Sequence, residues 1–248
     1  MPHVMRAPFR DQRGVAKYRH EVLGVVLRAG PVGSPGRPAE LQVLVRRRDR
    51  EPFAGKFALP SGPVEVTETM EEALARHLRE QLGLETLRHC EQLATLSDPG
   101  RDPFERTIAT AYLGLVPWED ARPRESGARW TAVAELPDLA FDHHLVVGQA
   151  VDRLRGKVSY TNIALALAPP EFTMATLRGI YEAVLGREID VTNLSRVLRR
   201  RGQIARVGTL GEAGARGGRP PSTWRFTEDS YRVTDPFAVL GPGRNPTV

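Results

Sequence analysis

The sequence predicts a mixed α/β domain followed by a small helix-turn-helix domain with a winged hairpin. Three observations predict it. In the first half, apolar β-branched runs alternate with turn residues and one strongly periodic helix. In the second half, two short capped helices are separated by a tight turn. The basic excess lies almost wholly in that second half.

The chain has 248 residues, which suits one large domain or two modest ones. Hydrophobic residues at 41 % and charged residues at 26 % exclude a wholly disordered chain. No apolar run approaches the roughly 18 residues of a transmembrane helix, so no membrane partner is expected. Residues 1–11 lack an apolar stretch, so a secretory signal is not expected. Cys90 is the only cysteine, which excludes an intramolecular disulfide and a cysteine-cluster zinc site. A reducing cytoplasm is the expected compartment. The net charge is +5, and arginine supplies all the basic residues except Lys17, Lys56 and Lys157. Residues 1–158 carry 23 basic and 22 acidic side chains, whereas residues 190–232 carry 9 and 4. A local basic surface is the pattern of a polyanion-binding site.

Residues 1–16 are polar and aperiodic and read as a tail. Glu21–Leu27 (EVLGVVL) and Leu41–Val45 (LQVLV) read as strands joined by the Gly- and Pro-rich turn 30–38. Arg46–Arg50 (RRRDR) follows, then a short strand at Phe57–Pro60. Thr69–Leu82 is the clearest helix. Thr69 and Glu72 form a capping box, Met70, Leu74, Leu78 and Leu82 make the apolar stripe, and Gly83 ends it. Strands follow near 91–96, 106–116 and 128–131, then an amphipathic helix at 144–154 with Val147, Ala150 and Leu154 on one face. Thr173 caps a helix at 174–185, and Asp190 caps another at 191–201. Ile204–Val207, a Gly-rich loop at 208–221 and Thr223–Thr227 complete a hairpin, read as a wing. The expected organisation is a tail over 1–16, a first domain over 17–156, a winged helix-turn-helix domain over 157–236, and a tail over 237–248.

Residues 62–84 read GPVEVTETMEEALARHLREQLGL. The order is Gly62, five residues, Glu68, seven residues, Arg76, then His77, Leu78, Arg79, Glu80, Gln81, Leu82, Gly83 and Leu84. This resembles the Nudix box, G-x5-E-x7-R-E-U-x-E-E-x-G-U with U aliphatic. The resemblance implies a Nudix α/β/α sandwich with a mixed sheet. In an active box, positions 77, 80 and 81 are carboxylates that hold divalent cations against a pyrophosphate. Here only Glu80 is, and a neutral amide or an imidazole is a poor ligand for Mg²⁺. The chain is therefore expected to be no enzyme, with no catalytic and no metal-binding residues and no required cofactor. Arg46, Arg47, Arg48, Lys56, Glu68, Arg76 and Glu80 are the candidate ligand-binding residues, with Glu68 and Arg76 also suited to pair as architecture. The alternative is an active hydrolase of ADP-ribose or another nucleoside diphosphate derivative, with carboxylates supplied by Glu65, Glu71 or Glu105. A domain kept purely as a dimerisation scaffold is a further reading.

Asp190–Gly202 reads DVTNLSRVLRRRG. Burying Leu194, Val197 and Leu198 leaves Thr192, Asn193, Arg196, Arg199 and Arg200 outward, residue types that read base edges and clamp phosphate. Arg216 and Arg219 on the wing tip suit a minor groove or the backbone. The rival readings are a solvated charged face and a non-specific nucleic-acid scaffold.

Together the two halves resemble the Nudix-related transcriptional regulators of bacteria. FDHHLVV (141–147), KVSYTNIALALAPPEFT (157–173), LRGIYEAVLGREIDVTN (177–193) and GRPPSTWRF (218–226) carry that resemblance. Many members have an arginine directly after an Asn-aromatic pair, where this chain has Leu194-Ser195-Arg196. The resemblance implies a repressor, acting as a homodimer on a palindromic double-stranded DNA operator of NAD biosynthesis genes. ADP-ribose or a related nucleotide would be its effector.

Overall fold

The structure is a computed structural model and describes residues 9–31, 38–119, 127–209 and 221–235. It divides into two compact units; the second takes in Ala29–Leu41 and Pro117–Glu119 as well as the chain from Asp152 onward, so the last division falls inside a helix, between Val151 and Asp152. The sequence places the boundary at 156/157. The helix is continuous across both positions, so no Gly- or Pro-rich linker marks the change in the sequence.

The N-terminal segment departs from the aperiodic tail expected over 1–16. Strands β1 (Phe9–Arg10) and β2 (Ala16–Lys17) pair antiparallel. The Asp11 carboxylate organises the turn, accepting from the Arg13 and Val15 amides at 3.0 Å each and pairing with Lys17. An aspartate that bonds its own following amides makes a turn without any hydrophobic period to betray it.

The main sheet contains β3 (Arg19–Gly30), β4 (Glu40–Arg47), β5 (Phe57–Ala58), β6 (Ser61–Pro63), β7 (His89–Leu96), β8 (Thr107–Leu115) and β9 (Ala128–Ala132). Its order is β5-β4-β3-β8-β7, with β6 pairing β3 and β9 pairing β4. β3 and β8 run parallel and β7–β8 antiparallel, so the sheet is mixed. Consecutive residues of β3 are buried from Val22 onward, which means both faces of the sheet are covered. Helix α1 (Met70–Leu82) covers one face. It begins with the capping box, Thr69 accepting from the Glu72 amide and Glu72 from the Thr69 amide. It ends at Gly83 with φ 65°, a left-handed position that glycine fills without a Cβ clash. Ala73, Leu74, Leu78 and Leu82 pack with Val22, Val26, Leu44 and Tyr112 in one cluster. Helix α2 runs His143–Val158, longer at both ends than its apolar stripe suggested.

The second unit carries the winged helix. Helices α3 (Met174–Leu185) and α4 (Val191–Arg200) are capped by Thr173 and Asp190, as the sequence indicates. A three-stranded sheet follows the order β10-β12-β11, from β10 (Phe172–Thr173), β11 (Ile204–Thr209) and β12 (Ser222–Phe226). After β12 the chain returns to the segment that follows α2. Asn162 donates to Ser230 O at 2.9 Å and accepts from the Arg232 amide at 2.7 Å. Thr234 N donates to Tyr160 O at 2.9 Å. Arg201, just past α4, holds both Ser159 O and the Asp235 carboxylate.

Candidate functional site: a charged cleft and an arginine-rich helix

Helix α1 presents the box residues to the turn that precedes it. Glu68 and Arg76 face each other, Arg76 Nε donating to Glu68 Oε2 at 3.0 Å. The same guanidinium reaches Pro63 O at 3.1 Å, and Glu68 accepts from the Glu65 amide at 2.8 Å. The Arg76 hydrogen bond, with the amide bond behind it, holds the Glu68 carboxyl down at about 2. This pair closes the loop before the helix, a structural task.

Positions 77 and 81 form a second link. His77 is buried, and its Nε2 lies 3.0 Å from Pro63 O. Gln81 Nε2 donates to Ser61 O at 2.8 Å and stands 3.3 Å from His77 Nδ1. Because Pro63 O can only accept, His77 carries its proton on Nε2, and Nδ1 accepts from Gln81. The ring lies directly under Gly62: a Cβ there would sit 2.2 Å from its Cε1. The box glycine and His77 are thus one packing unit, tying α1 to β6.

This arrangement does not fit a divalent cation. Both His77 nitrogens and Gln81 Nε2 are engaged in neutral hydrogen bonds, and the Gln81 carbonyl oxygen is an uncharged, weak ligand. Glu80 is half-exposed and its nearest cation is Arg76 at 3.5 Å. Of Glu65, Glu71 and Glu105, Glu71 accepts from the Tyr112 hydroxyl at 2.9 Å, Glu105 pairs with Arg19, and Glu65 gives its amide to Glu68. Among the described residues, no three His, Cys, Asp or Glu side chains converge as a metal site.

A cleft of about 210 Å³ opens beside this link. Its walls carry four arginines, Arg19, Arg46, Arg48 and Arg50, and four carboxylates, Glu21, Asp49, Glu51 and Asp102, with Phe141 and Gln81 beside them. Phe141 adopts φ 56°, an unusual position for a bulky residue. Its ring is held edge-on by Phe53 at 5.0 Å, and the Arg48 guanidinium lies over it at 4.8 Å. Arg48 Nε donates to Pro52 O at 2.8 Å, and burial, then Arg50, pulls its pKa below the usual guanidinium value. Beside Phe141, Asp142 makes a two-bond pair with Arg101 at 2.9 and 3.1 Å. His143 accepts from the Leu59 amide at 3.0 Å, and burial, aided by Arg101 and Arg48, pushes its pKa down to about 3. The start of α2 is therefore fixed to the cleft wall by an ion pair and a neutral imidazole.

Of the sequence candidates, the structure brings Arg46 and Arg48 into this cleft. Arg47 points the other way and donates to Gly55 O at 3.1 Å, as strand alternation requires. Lys56 pairs with Asp138, and Glu68, Arg76 and Glu80 lie among themselves outside the cleft lining. Arg19, Arg50, Asp102 and Phe141 were not singled out. The FDHH stretch was the one available signal, for Phe141.

On α4, Leu194 and Leu198 are buried, and Thr192, Asn193, Arg196, Arg199 and Arg200 are exposed. Arg196 Nη2 donates to Asn193 Oδ1 at 2.7 Å, so the two side chains are held as one unit. Arg199 lies 5.7 Å over the Trp224 ring of β12. Arg206 and Arg225, on β11 and β12, are exposed as well. Arg216 and Arg219 lie outside the described residues.

The NUDIX domain family profile matches residues 21–152, more than half of the chain. The chain belongs to the Nudix family. A second profile, the NrtR DNA-binding winged helix domain, matches residues 164–226 of this Nudix-family chain. The chain is 28 % identical over 210 residues to the ADPR responsive transcriptional repressor NtrR of Acinetobacter baylyi, covering 82 % of each. Over 112 residues it is 35 % identical to the ADP-ribose pyrophosphatase of Methanocaldococcus jannaschii, covering 43 % of this chain and 63 % of that one. Its fold resembles Shewanella oneidensis NrtR complexed with a 27mer DNA, with TM-score 0.70 and 25 % identity over 84 % of this chain and 93 % of that one. The mixed sheet with a C-terminal winged helix is the fold of both. No helix of the described residues is long and apolar enough to cross a membrane.

Proposed function

We propose that this Nudix-family chain is a transcriptional repressor that senses ADP-ribose or a related NAD-derived nucleotide. It binds a palindromic operator as a homodimer and controls genes of NAD biosynthesis. The observation that carries this reading is one chain holding two sites of matching logic. A Nudix cleft lies beside a His77–Gln81 link at two positions where an active box has carboxylates, and an arginine-bearing helix stands capped and exposed. The whole-length likeness to an ADPR responsive repressor supports the pairing.

In the first site, Arg46, Arg48 and Arg50 supply charge for a diphosphate, and Phe141 supplies an aromatic wall. Hydrolysis is absent, since one carboxylate at position 80 neither neutralises a leaving phosphate nor activates water. In the second site, the Asn193–Arg196 unit meets base edges, and Arg199 and Arg200 meet phosphate. Two such helices in a dimer, one helical turn of DNA apart, read a palindrome. The effector acts by binding one dimer geometry better than the other; complete conversion needs roughly 5 kcal/mol of differential binding.

The test is selection from a random duplex pool followed by a titration. The protein enriches a palindromic site, and ADP-ribose changes its occupancy at fixed salt. ADP-ribose that binds while occupancy stays flat overturns the sensor reading. Phosphate release from ADP-ribose with Mg²⁺ or Mn²⁺ at enzymatic turnover overturns the loss of hydrolysis and restores the hydrolase reading.

A further inference from the structure

The first unit carries a second hollow, lined by none of the cleft residues. It has a volume of about 450 Å³ and lies between α1, the turn that follows it, and β7–β8. That volume falls within the range of small-molecule sites, roughly 300–1,000 Å³. Its floor is apolar: Leu74, Leu78 and Tyr112 are each 3 % exposed, and Leu84 and Leu87 stand beside them. Ala75 is exposed on the same flank of α1 and leaves the mouth open. The flank bearing Glu71 and Ala75 lies about 120° around the helix from His77 and Gln81.

The cleft sets four arginines among four carboxylates, whereas the charged side chains of this lining are all acidic. Its carboxylates are Glu71, Glu85 and Glu91, and no arginine or lysine is among its lining residues. The Tyr112 hydroxyl donates to Glu71 Oε1, which fixes one carboxylate at the edge of the apolar floor. Burial and Glu71 push Tyr112 up to about 12, so it remains a donor at neutral pH. A diphosphate would meet only like charge here. An apolar body with a positive head meets both surfaces it needs.

We propose that this hollow is a second ligand site, for a small organic cation with an aromatic or alkyl body. The body lies on Leu74, Leu78, Leu84 and Leu87, and the ammonium group faces Glu71. Because the site uses α1, occupancy bears on the helix that also places Gln81 in the arginine-bearing cleft. The proposal stands on the lining alone and does not require the DNA or nucleotide reading.

Two probes of one shape test it by calorimetric titration of the full chain: 2-phenylethylammonium and 3-phenylpropionate. The cation binds saturably, and the anion binds at least tenfold more weakly. Ala75→Trp fills the mouth from an exposed position and abolishes cation binding. Glu71→Gln weakens it several-fold. Their melting curves are recorded alongside, so that a misfolded variant is replaced by Glu85→Lys, which must also weaken the cation. Equal affinity for the two probes, no saturable binding, or undiminished binding to Ala75→Trp overturns the proposal. So does a wild-type dimer that Ala75→Trp converts to monomer in sedimentation, because a second copy of the chain is then the occupant.

Discussion

Gly62→Ala probes the link between the box glycine and His77. The added Cβ would lie 2.2 Å from His77 Cε1 and 2.4 Å from Nε2. Relaxed carbon contacts sit at about 3.5–4.0 Å, so the ring must move by more than about 1 Å. It has little room, being 5 % exposed, and moving breaks its bond to Pro63 O. Overpacking of this kind costs about 1–3 kcal/mol, and an orphaned polar group costs a similar amount. The expected loss is about 2–4 kcal/mol. His77→Ala alone costs about 2–3 kcal/mol through a cavity and the lost hydrogen bonds. In the double variant the new methyl enters the space the ring leaves, so the pair costs little more than His77→Ala alone. The coupling is then nearly the whole Gly62→Ala cost, about 2–4 kcal/mol. Guanidinium unfolding followed by far-UV circular dichroism measures it from the four midpoints. A Gly62→Ala midpoint within about 0.5 kcal/mol of wild type, or two costs that simply add, refutes the packing unit.

Acid should weaken the fold through His143. The unfolded imidazole takes up a proton near 6.5 and the folded one only near 3, so stability falls as pH drops through that window. The slope is up to about 1.4 kcal/mol per pH unit, and His143→Asn, which still accepts from the Leu59 amide, should flatten it in midpoints measured against pH. Arg48→Ala should weaken ADP-ribose binding by roughly tenfold or more in calorimetry while leaving nucleotide-free DNA binding intact. Arg196→Ala should lose about 1–3 kcal/mol of operator discrimination in mobility shifts, whereas Arg200→Ala should weaken all duplexes alike and reduce the salt slope by about one. Variants that behave identically would place the base contacts elsewhere.

Much of the fold could be read from local pattern. The capping box at Thr69 and Glu72, the stripe on α1 and the capped helices α3 and α4 are short-range features, and sequence spacing states them directly. The cleft was legible only in part. Strand alternation could have separated Arg46 and Arg48 from Arg47, since side chains two apart share a face. Arg19 and Asp102 join the cleft through the register of a parallel pairing, Arg19 opposite Thr107, which no local spacing encodes. The task of His77 and Gln81 was hidden for a different reason. Their partners are the carbonyls of Ser61 and Pro63, and carbonyl direction is a property of the folded turn.

The parallel pair β3–β8 also governs how this protein comes off the ribosome. Leu23 must find Ala111 and Leu27 must find Leu115, so the strand made early waits for roughly ninety residues of further synthesis. At about 5–20 residues per second, that wait is roughly 5–18 s. During it, the apolar run of β3 has one edge without its native neighbour, a template for pairing with other chains. Helices α3 and α4, which touch each other, are neighbours in the sequence and close over short distances. The nascent chain is therefore most vulnerable at its first long strand, and a trigger for aggregation belongs there rather than in the winged helix.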